Sequence, residues 1–488
     1  MSVGWGLGVK IGVTLALVAA AHFLFDHGHF GSWVGAFALV WAGLLAFVRP
    51  ALRRGQALLA LTAAALLALA LADKPSLLGW ILFWSALSIA TILPRAGRFD
   101  DALRWAVRLG AHAATGWLTP LADLARLSSV RRRGRRSLGS VVALLALPLL
   151  ASAGFLALFA SANPLIARAF AAVRLPDLDD VLFWCVMLAL IWPSLRPARL
   201  TTRITNLLPD APTGWQGLNP QSVLISLSLF NLVFAIQNGL DLAFLWSGAP
   251  LPVGVTLADY AHRGAYPLIV TALLAGLFVL MLRPGSATAA DRTIRRLVVL
   301  WVAQNLLLVA SSILRTCDYI AVYMLTPLRI AALVWMALVG LGLALICWRM
   351  LRNKSASWLI NANTLAAATA LVASSLVDYD AIAADWNVRH AREVGGKGVA
   401  LDLCALSEAG TAALVPLAQL ERRALEPRFR VQVIRVRQQI LASAGEQQAN
   451  WRDWTRRDAG RIARMHAILG PSPATPLAPT PDLPATCD

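Results

Sequence analysis

The sequence predicts an all-α, polytopic helical membrane protein of about 11 transmembrane helices, with a small helical extramembrane C-terminal domain. Three observations predict it. Apolar runs of spanning length recur between Ile11 and Val377, and a bilayer core takes roughly 20 apolar residues per crossing helix. The Lys and Arg residues between those runs fall on alternate loops, which is the pattern that orients loops across a membrane. Beyond Val377 the composition turns polar. A mean hydropathy of +0.64 and 58% hydrophobic residues exceed what a soluble domain carries. The net charge of +18 is therefore read as loop topology and not as a nucleic-acid surface. No nucleic-acid partner is expected.

Spans are predicted near 8–25, 31–48, 55–72, 76–93, 138–160, 181–195, 221–246, 266–282, 294–314, 329–348 and 357–377. The first run has Lys10 before it and small residues at Ala19–Ala21, as a signal peptide would. It continues through His22–Phe25, and the charge alternation needs it, so it is read as an uncleaved helix. With the N-terminus inside, the inner loops hold 24 Lys and Arg residues and the outer loops six. That asymmetry predicts a multi-pass protein of a bacterial cytoplasmic (inner) membrane with residues 378–488 outside.

The longest inner loop, 95–137, carries two features. Residues 101–126 read as an interfacial helix lying on the membrane, with Leu103, Ala106, Val107 and Leu109 near one another and Arg104 and Arg108 spaced i,i+4. Arg131, Arg132, Arg133, Arg135 and Arg136 follow directly before a span. They are candidate contacts for anionic lipid head groups, and equally a stop signal orienting the fifth span; the two roles are compatible.

Residues 1–377 thus form the transmembrane helical domain and 378–470 a small extracytoplasmic domain, with helices near 407–424, 428–444 and 448–469. In the middle one Phe429, Val433, Val436 and Ile440 repeat at helical spacing, although Arg430–Val436 also alternates as a strand would. The tail 471–488 has six prolines and is expected to be disordered. The five cysteines show no metal-ligand spacing. Cys185 and Cys347 lie in apolar runs, where small core residues are expected. Cys404 and Cys487 would share an oxidising compartment, where pairing is open to them.

Ionisable groups within or beside a span are costly, so their placement is informative. Asn231, Gln237, Asn238 and Asp241 lie in the seventh span, either hydrogen-bonding between helices or lining a cavity. Arg315, Asp318, Tyr319 and Tyr323, followed by Arg329, form a second group, read as structural pairing or as a site for an anionic head group. Asp378, Asp380, Asp385, Asn387, Arg389 and His390 form a third, in capping or in acid–base or cation chemistry. Asn238, Asp241, Arg315, Asp318, Tyr319, Tyr323, Arg329, Asp378, Asp380 and Asn387 share one depth by this threading and are expected to converge on one outer polar pocket. Asp26-His27-Gly28-His29 reads as a polar turn, and no metal site is expected. There is no GxxxxGK[ST], GxSxG or HExxH, and no GxGxxG after a strand, so the ATPase, esterase and zinc-protease classes lack support.

The stretches Leu251-Pro252-x-Gly254…Asp259–Gly264, Ser311–Arg329, Asp378–Val388, Leu401–Leu406 and Trp451-Arg452-Asp453-Trp454 together resemble a bacterial family of multi-pass membrane proteins, a domain of unknown function of the 4153/4173 type. The resemblance covers about residues 220–460 and implies the topology without implying a reaction. The family often carries Tyr-Gly-Leu-Thr where this chain has Tyr323-Met324-Leu325-Thr326. The expected role is an envelope scaffold or sensor, with membrane lipids and an envelope protein as partners and no cofactor. Two alternatives stand beside it: a transporter of a small or lipidic solute, or a membrane enzyme acting on a lipid-linked or phosphorylated substrate.

Overall fold

The computed structural model describes residues 6–25, 28–123, 151–152, 177–198, 201, 219–247, 274, 292–396, 398–423 and 426–470. Among them every regular element is a helix. Eight are long and apolar enough to cross a membrane: α1 (Leu7–Phe25), α3 (Gly55–Asp73), α4 (Leu77–Ala96), α6 (Leu178–Leu195), α7 (Pro220–Asp241), α8 (Arg292–Tyr323), α9 (Pro327–Leu351) and α10 (Ala356–Leu376). A shorter apolar helix, α2 (Trp33–Val48), lies between α1 and α3. The fold is therefore all-α and polytopic, as predicted. The predicted spans at 138–160 and 266–282 lie almost wholly outside the described residues, as do Arg131, Arg132, Arg133, Arg135 and Arg136.

The spans pack in two groups. Helices α1–α4 and α6 share a core around Phe37, Trp41, Phe83, Leu87 and Ile191. There Trp41 is fully buried and its indole N–H donates to Ser194 Oγ at 3.1 Å, the partner a buried indole requires. Gly35 lets α2 and α3 touch, since a Cβ there would collide with the backbone of Ala68 and Ala72. Helices α7, α8 and α9 share a second core around Leu227, Val298, Trp301, Val302 and Leu343. Leu59, Leu66, Leu69, Leu229, Leu232 and Ile236 are exposed and form the lipid-facing surface of a membrane protein, where lipid tails solvate them as well as a core would. Cys185 is also exposed; it faces outward from α6, contrary to the expectation of a core position.

Helix α8 has 32 residues, about 48 Å at 1.5 Å per residue, so it extends past the hydrocarbon core. The amphipathic α5 (Ala102–Gly116) begins at Asp101, whose carboxylate accepts from the Leu103 and Arg104 amides as an N-cap. Its buried face is Ala102, Trp105, Arg108, His112 and Gly116, while Leu103, Trp117, Leu118 and Leu121 are exposed. Of the apolar stripe read from the sequence, Leu103 and Ala106 are exposed and Val107 and Leu109 are half-buried.

The C-terminal helices α11 (Tyr379–His390), α12 (Leu403–Glu408), α13 (Leu414–Glu421), α14 (Pro427–Ala449) and α15 (Arg456–Leu469) surround a third core of Leu406, Leu414, Leu417, Leu420, Val433, Ile440 and Met465. Val433, Val436 and Ile440 are buried on α14, so the helical spacing prevails over the strand-like alternation there. The predicted helix at 407–424 is broken instead, at Gly410 with φ +58°, a left-handed conformation that glycine adopts without strain.

Loops 28–32, 73–76, 324–326 and 377–378 meet the C-terminal helices at one end of the spans. The hydrogen bonds Gly31 N to Arg452 O and Leu325 N to Asn387 Oδ1, and the ion pair Arg457–Asp73, establish this. The loops bearing Arg49 and Arg196 and the last turn of α4, with Arg95, meet at the other. There Arg49 donates to Ser194 O and Thr91 O, and Ala102 N donates to Asn361 Oδ1. Helices α1–α4 run in alternating directions between this basic end and the C-terminal end, as do α8–α10, whereas α4 and α6 both end at the basic end and α7 runs parallel to α8.

Candidate functional site at the C-terminal end

Asn231, Asn238 and Asp241 share the buried face of α7 and meet α8 in a polar ladder. Asn231 donates to Leu297 O at 3.0 Å and accepts from Gln304 Nε2 at 2.9 Å. Asn238 donates to Gln304 O at 3.2 Å. At the top, Arg315 pairs with Asp241, whose side chain is 2% exposed. Gln237 also donates to Asp241. Arg315 therefore pairs across to α7, while Asp318, three residues along α8, is exposed. The interhelical bond is favoured because it removes two charges from the apolar phase at once.

Arg329 lies over the Tyr319 ring, 4.4 Å from its centroid, a cation–π distance. Its guanidinium also donates to the carbonyls of Tyr323 and Met324, and the Tyr319 and Tyr323 rings pack at 4.6 Å. This Arg329 cluster closes the α8–α9 turn. Met324 sits there at φ +65°, at the position where the resembling family carries glycine; a side chain in that region carries steric strain of about 1–2 kcal/mol. Asn387 fixes the same turn from α11, donating to Leu325 O at 2.9 Å and accepting from Leu325 N at 2.8 Å.

Asp378 caps α11 by accepting from Ala381 N and joins an ion network with Arg461, Arg457 at 3.4 Å and Lys74 at 3.8 Å. Lys74 also pairs with Asp380 at 3.2 Å, and Arg457 with Asp73 at 2.6 Å. Burial works to raise the Asp378 pKa, but the Arg461 charge, the Ala381 amide and Lys74 outweigh it and hold the carboxyl below its ordinary value. Beside this network Gly31 N donates to Arg452 O at 2.9 Å and Ser32 N to Trp454 O at 2.8 Å. His29 Nδ1 meets Asp453 Oδ2 at 2.8 Å, and Trp33 donates to Trp451 O at 2.8 Å. His29 thus joins a clamp; Asp26 and His27 lie outside the described residues.

The expected pocket residues are thus distributed over three neighbouring assemblies. Asp241 is with Arg315; Tyr319, Tyr323 and Arg329 are together with Asn387 on the same turn; Asp378 and Asp380 are with Lys74 and the α15 arginines. The carboxylate of Asp378 makes its ion pairs with Lys74, Arg457 and Arg461 and not with Arg315. A cleft of about 210 Å3 lies between the end of α8 and α11, lined among others by Cys317, Ile320, Met324, Trp386, Asn387 and His390. The His390 ring stacks on Trp386 at 3.8 Å. Among the described residues no group of three or more His, Cys, Asp or Glu is arranged to hold a metal.

Sequence reasoning missed Asp73, Arg457 and Arg461, which complete the network. Their signal was weak, because a charged residue in a loop or on a polar helix ordinarily faces water. Cys404 is disulfide-bonded, and Cys487 lies outside the described residues.

No curated protein and no solved structure matches the chain. A family model described as a domain of unknown function, DUF4153, matches residues 34–420, which take in Asp241, Arg315, Arg329, Asp378 and Asn387 but not the α15 arginines. The chain belongs to this DUF4153 family, whose described function is unknown.

Proposed function

We propose that the protein is an envelope scaffold or sensor of a bacterial cytoplasmic membrane. Its basic end faces the cytoplasm, and its C-terminal domain, residues 378–470, lies on the outer face, where it engages an envelope protein. The observation that carries this reading is the docking of α15 and the Trp451–Trp454 turn onto loops of the spans by Arg457–Asp73, Asp378–Lys74 and the Gly31 and Ser32 amides. Such a junction couples whatever the outer domain binds to the helices beneath it. The groups that a transport or catalytic reading would use, Asp241 and Arg315, are paired with each other between helices, which suits a structural role. The disulfide at Cys404 and the excess of basic residues at the opposite end both favour an outside position for the domain.

The test is a pair of reporters fused after the C-terminus of the whole chain, one active only outside the cytoplasm and one only within it. In the same cells, envelope proteins are cross-linked from Trp451. The outside reporter is expected to be active and a defined envelope protein to be captured, with capture lost in Asp73→Asn. An active cytoplasmic reporter would overturn the sidedness. Undiminished capture by Asp73→Asn would overturn the coupling.

A further inference from the structure

We propose that the turn between α14 and α15, residues 450–455, lies in the head-group boundary of the bilayer, so that Trp451, Trp454 and Arg452 seat the C-terminal domain on the lipid surface. The depth follows from α1. Its 19 residues measure about 29 Å at 1.5 Å per residue, close to the roughly 30 Å of a hydrocarbon core. Phe23 stands two residues before the end of that helix, about 3 Å from it along the axis. The Trp451 ring packs 5.8 Å from that of Phe23 and 5.7 Å from that of Trp33, the first residue of α2. A side chain of the C-terminal domain thus touches α1 and α2 where they reach the edge of the apolar phase.

The ordinary explanation for these rings is cement between the domain and the spans. Other contacts already hold that junction: Gly31 N to Arg452 O, Ser32 N to Trp454 O, Arg456 N to Ser32 Oγ at 3.0 Å and His29 to Asp453. With all of them made, Trp451 is still 44% exposed, Trp454 39%, Trp33 42%, and Phe23 and Phe30 60% each. At about 150–250 Å2 per aromatic side chain, that leaves roughly 400–600 Å2 of ring surface uncovered. An apolar patch of this size on a soluble monomer is often an interaction site. Here it is continuous through Phe23 with α1, a membrane span, so lipid is the surface next to it. Tryptophan is enriched at that boundary because its ring body is apolar and its N–H is not.

A second, independent observation is the charge on this patch. The Arg452 guanidinium lies 5.3 Å from the centroids of both the Phe23 and the Trp451 ring. Among the described residues no carboxylate pairs with it, and its Nε has no hydrogen-bond partner; Asp453, next in sequence, pairs with His29 instead. Lys74, Arg457 and Arg461 nearby all have carboxylates. Arg452 is therefore a cation laid along aromatic surface with its charge unmet, the arrangement by which arginine rests its stem on an apolar phase and keeps its head in the polar layer above. A bilayer edge supplies both halves of that complement, acyl carbons for the rings and phosphate oxygens for the guanidinium. The inference goes beyond the scaffold reading and holds whichever side of the membrane this end faces; a protein reached from Trp451 would have to lie at the same boundary.

The experiment reconstitutes the full chain, with no other protein, into vesicles of phosphatidylglycerol and phosphatidylcholine. One sample carries a phospholipid with a photoactivatable diazirine near its head group, the other a water-soluble diazirine, and adducts are mapped by mass spectrometry. The ratio of lipid-borne to water-borne labelling is expected to be several-fold higher for residues 450–455 than for the exposed Arg428 and Arg430 of α14, about 33 Å along that helix from the turn. A turn labelled from water and not from lipid overturns the proposal and leaves the patch to a protein partner. A second measurement compares the unaltered chain with Trp451→Phe/Trp454→Phe, whose rings stay apolar. The emission lost in the variant is expected to be quenched by phospholipid brominated near the head group and shielded from aqueous iodide; the reverse overturns the proposal. Should the variant not reconstitute, the labelling of the unaltered chain decides alone.

Discussion

Replacing His112 with phenylalanine tests the interior of the basic end directly. The side chain is fully buried, with both ring nitrogens unpartnered. Each unsatisfied polar atom costs about 1–3 kcal/mol, while a phenyl ring keeps the planar contact with Trp84 and adds little volume. In protein stripped of anionic lipid, His112→Phe is therefore expected to be neutral or to stabilise by up to about 3 kcal/mol at pH 7.5. The second reading is pH. The folded-state pKa is about 4 against an ordinary 6.5, so between those values the unfolded chain binds the extra proton and stability falls as pH falls. The difference amounts to about 3 kcal/mol at 1.36 kcal/mol per unit. The assay is chemical denaturation in detergent at pH 7.5, 6 and 5 for both proteins. The wild type should lose stability across that range and His112→Phe should lose less. A variant destabilised by more than about 2 kcal/mol at pH 7.5 would show that the imidazole makes a native hydrogen bond worth at least that much, and the reasoning would fail.

Asp241→Asn leaves Arg315 without its ion-pair carboxylate between α7 and α8, and a broken buried pair costs about 3–5 kcal/mol; equilibrium unfolding should show most of that loss, with part of it regained in Asp241→Asn/Arg315→Gln. Gly31→Ala places a Cβ against the carbonyls of Arg452 and Trp454, so limited proteolysis should cut between α14 and α15 faster while the helices of the first core stay protected. Asp378, its carboxyl held below the ordinary value of 3.8, contributes stability that is present above that value and lost as pH falls through the lower folded one; hydrogen exchange of α11 and α15 should therefore hold steady down to pH 4 and rise below it, whereas Asp378→Asn should show the faster exchange already at pH 7.

The spans were legible because lipid imposes a single requirement on long stretches of chain: apolar side chains and internally bonded backbone. The alternation of Arg49, Arg95 and Arg196 against Lys74 and Arg329 gave the order of the ends for the same reason. The candidate site was legible only where periodicity constrains it. Asn231, Asn238 and Asp241 lie on one face of α7 by spacing alone, and that face is the one buried against α8. Whether Arg315 turns to Asp318 or Asp241 depends on a contact between helices distant in sequence, which local spacing cannot specify. Arg457 and Asp73 are 384 residues apart, and nothing in either neighbourhood marks the other. The departure at Met324 was visible against the family pattern, and the left-handed backbone at that position is one that glycine adopts without strain.

The two ends of the molecule solve the same electrostatic problem in different ways. At the C-terminal end buried cations have acids: Arg315 has Asp241, Arg437 has Glu421, and Arg457 and Arg461 have Asp73, Asp378 and Asp458. Breaking a buried pair costs about 3–5 kcal/mol, and the arrangement also sets register: the partners come from α3, α7, α8, the N-cap of α11, α13, α14 and α15, and they close only when those elements are docked together. At the basic end Arg196 pairs with Asp123 and Arg108 with Asp100, while Arg49 is held by the carbonyl oxygens of Ser194 and Thr91. Carbonyls accept a guanidinium without neutralising it, so the charge persists as a field at the membrane boundary. The docking of the C-terminal helices is therefore fixed by charge pairs that close across elements, whereas Arg49 keeps its charge among carbonyls.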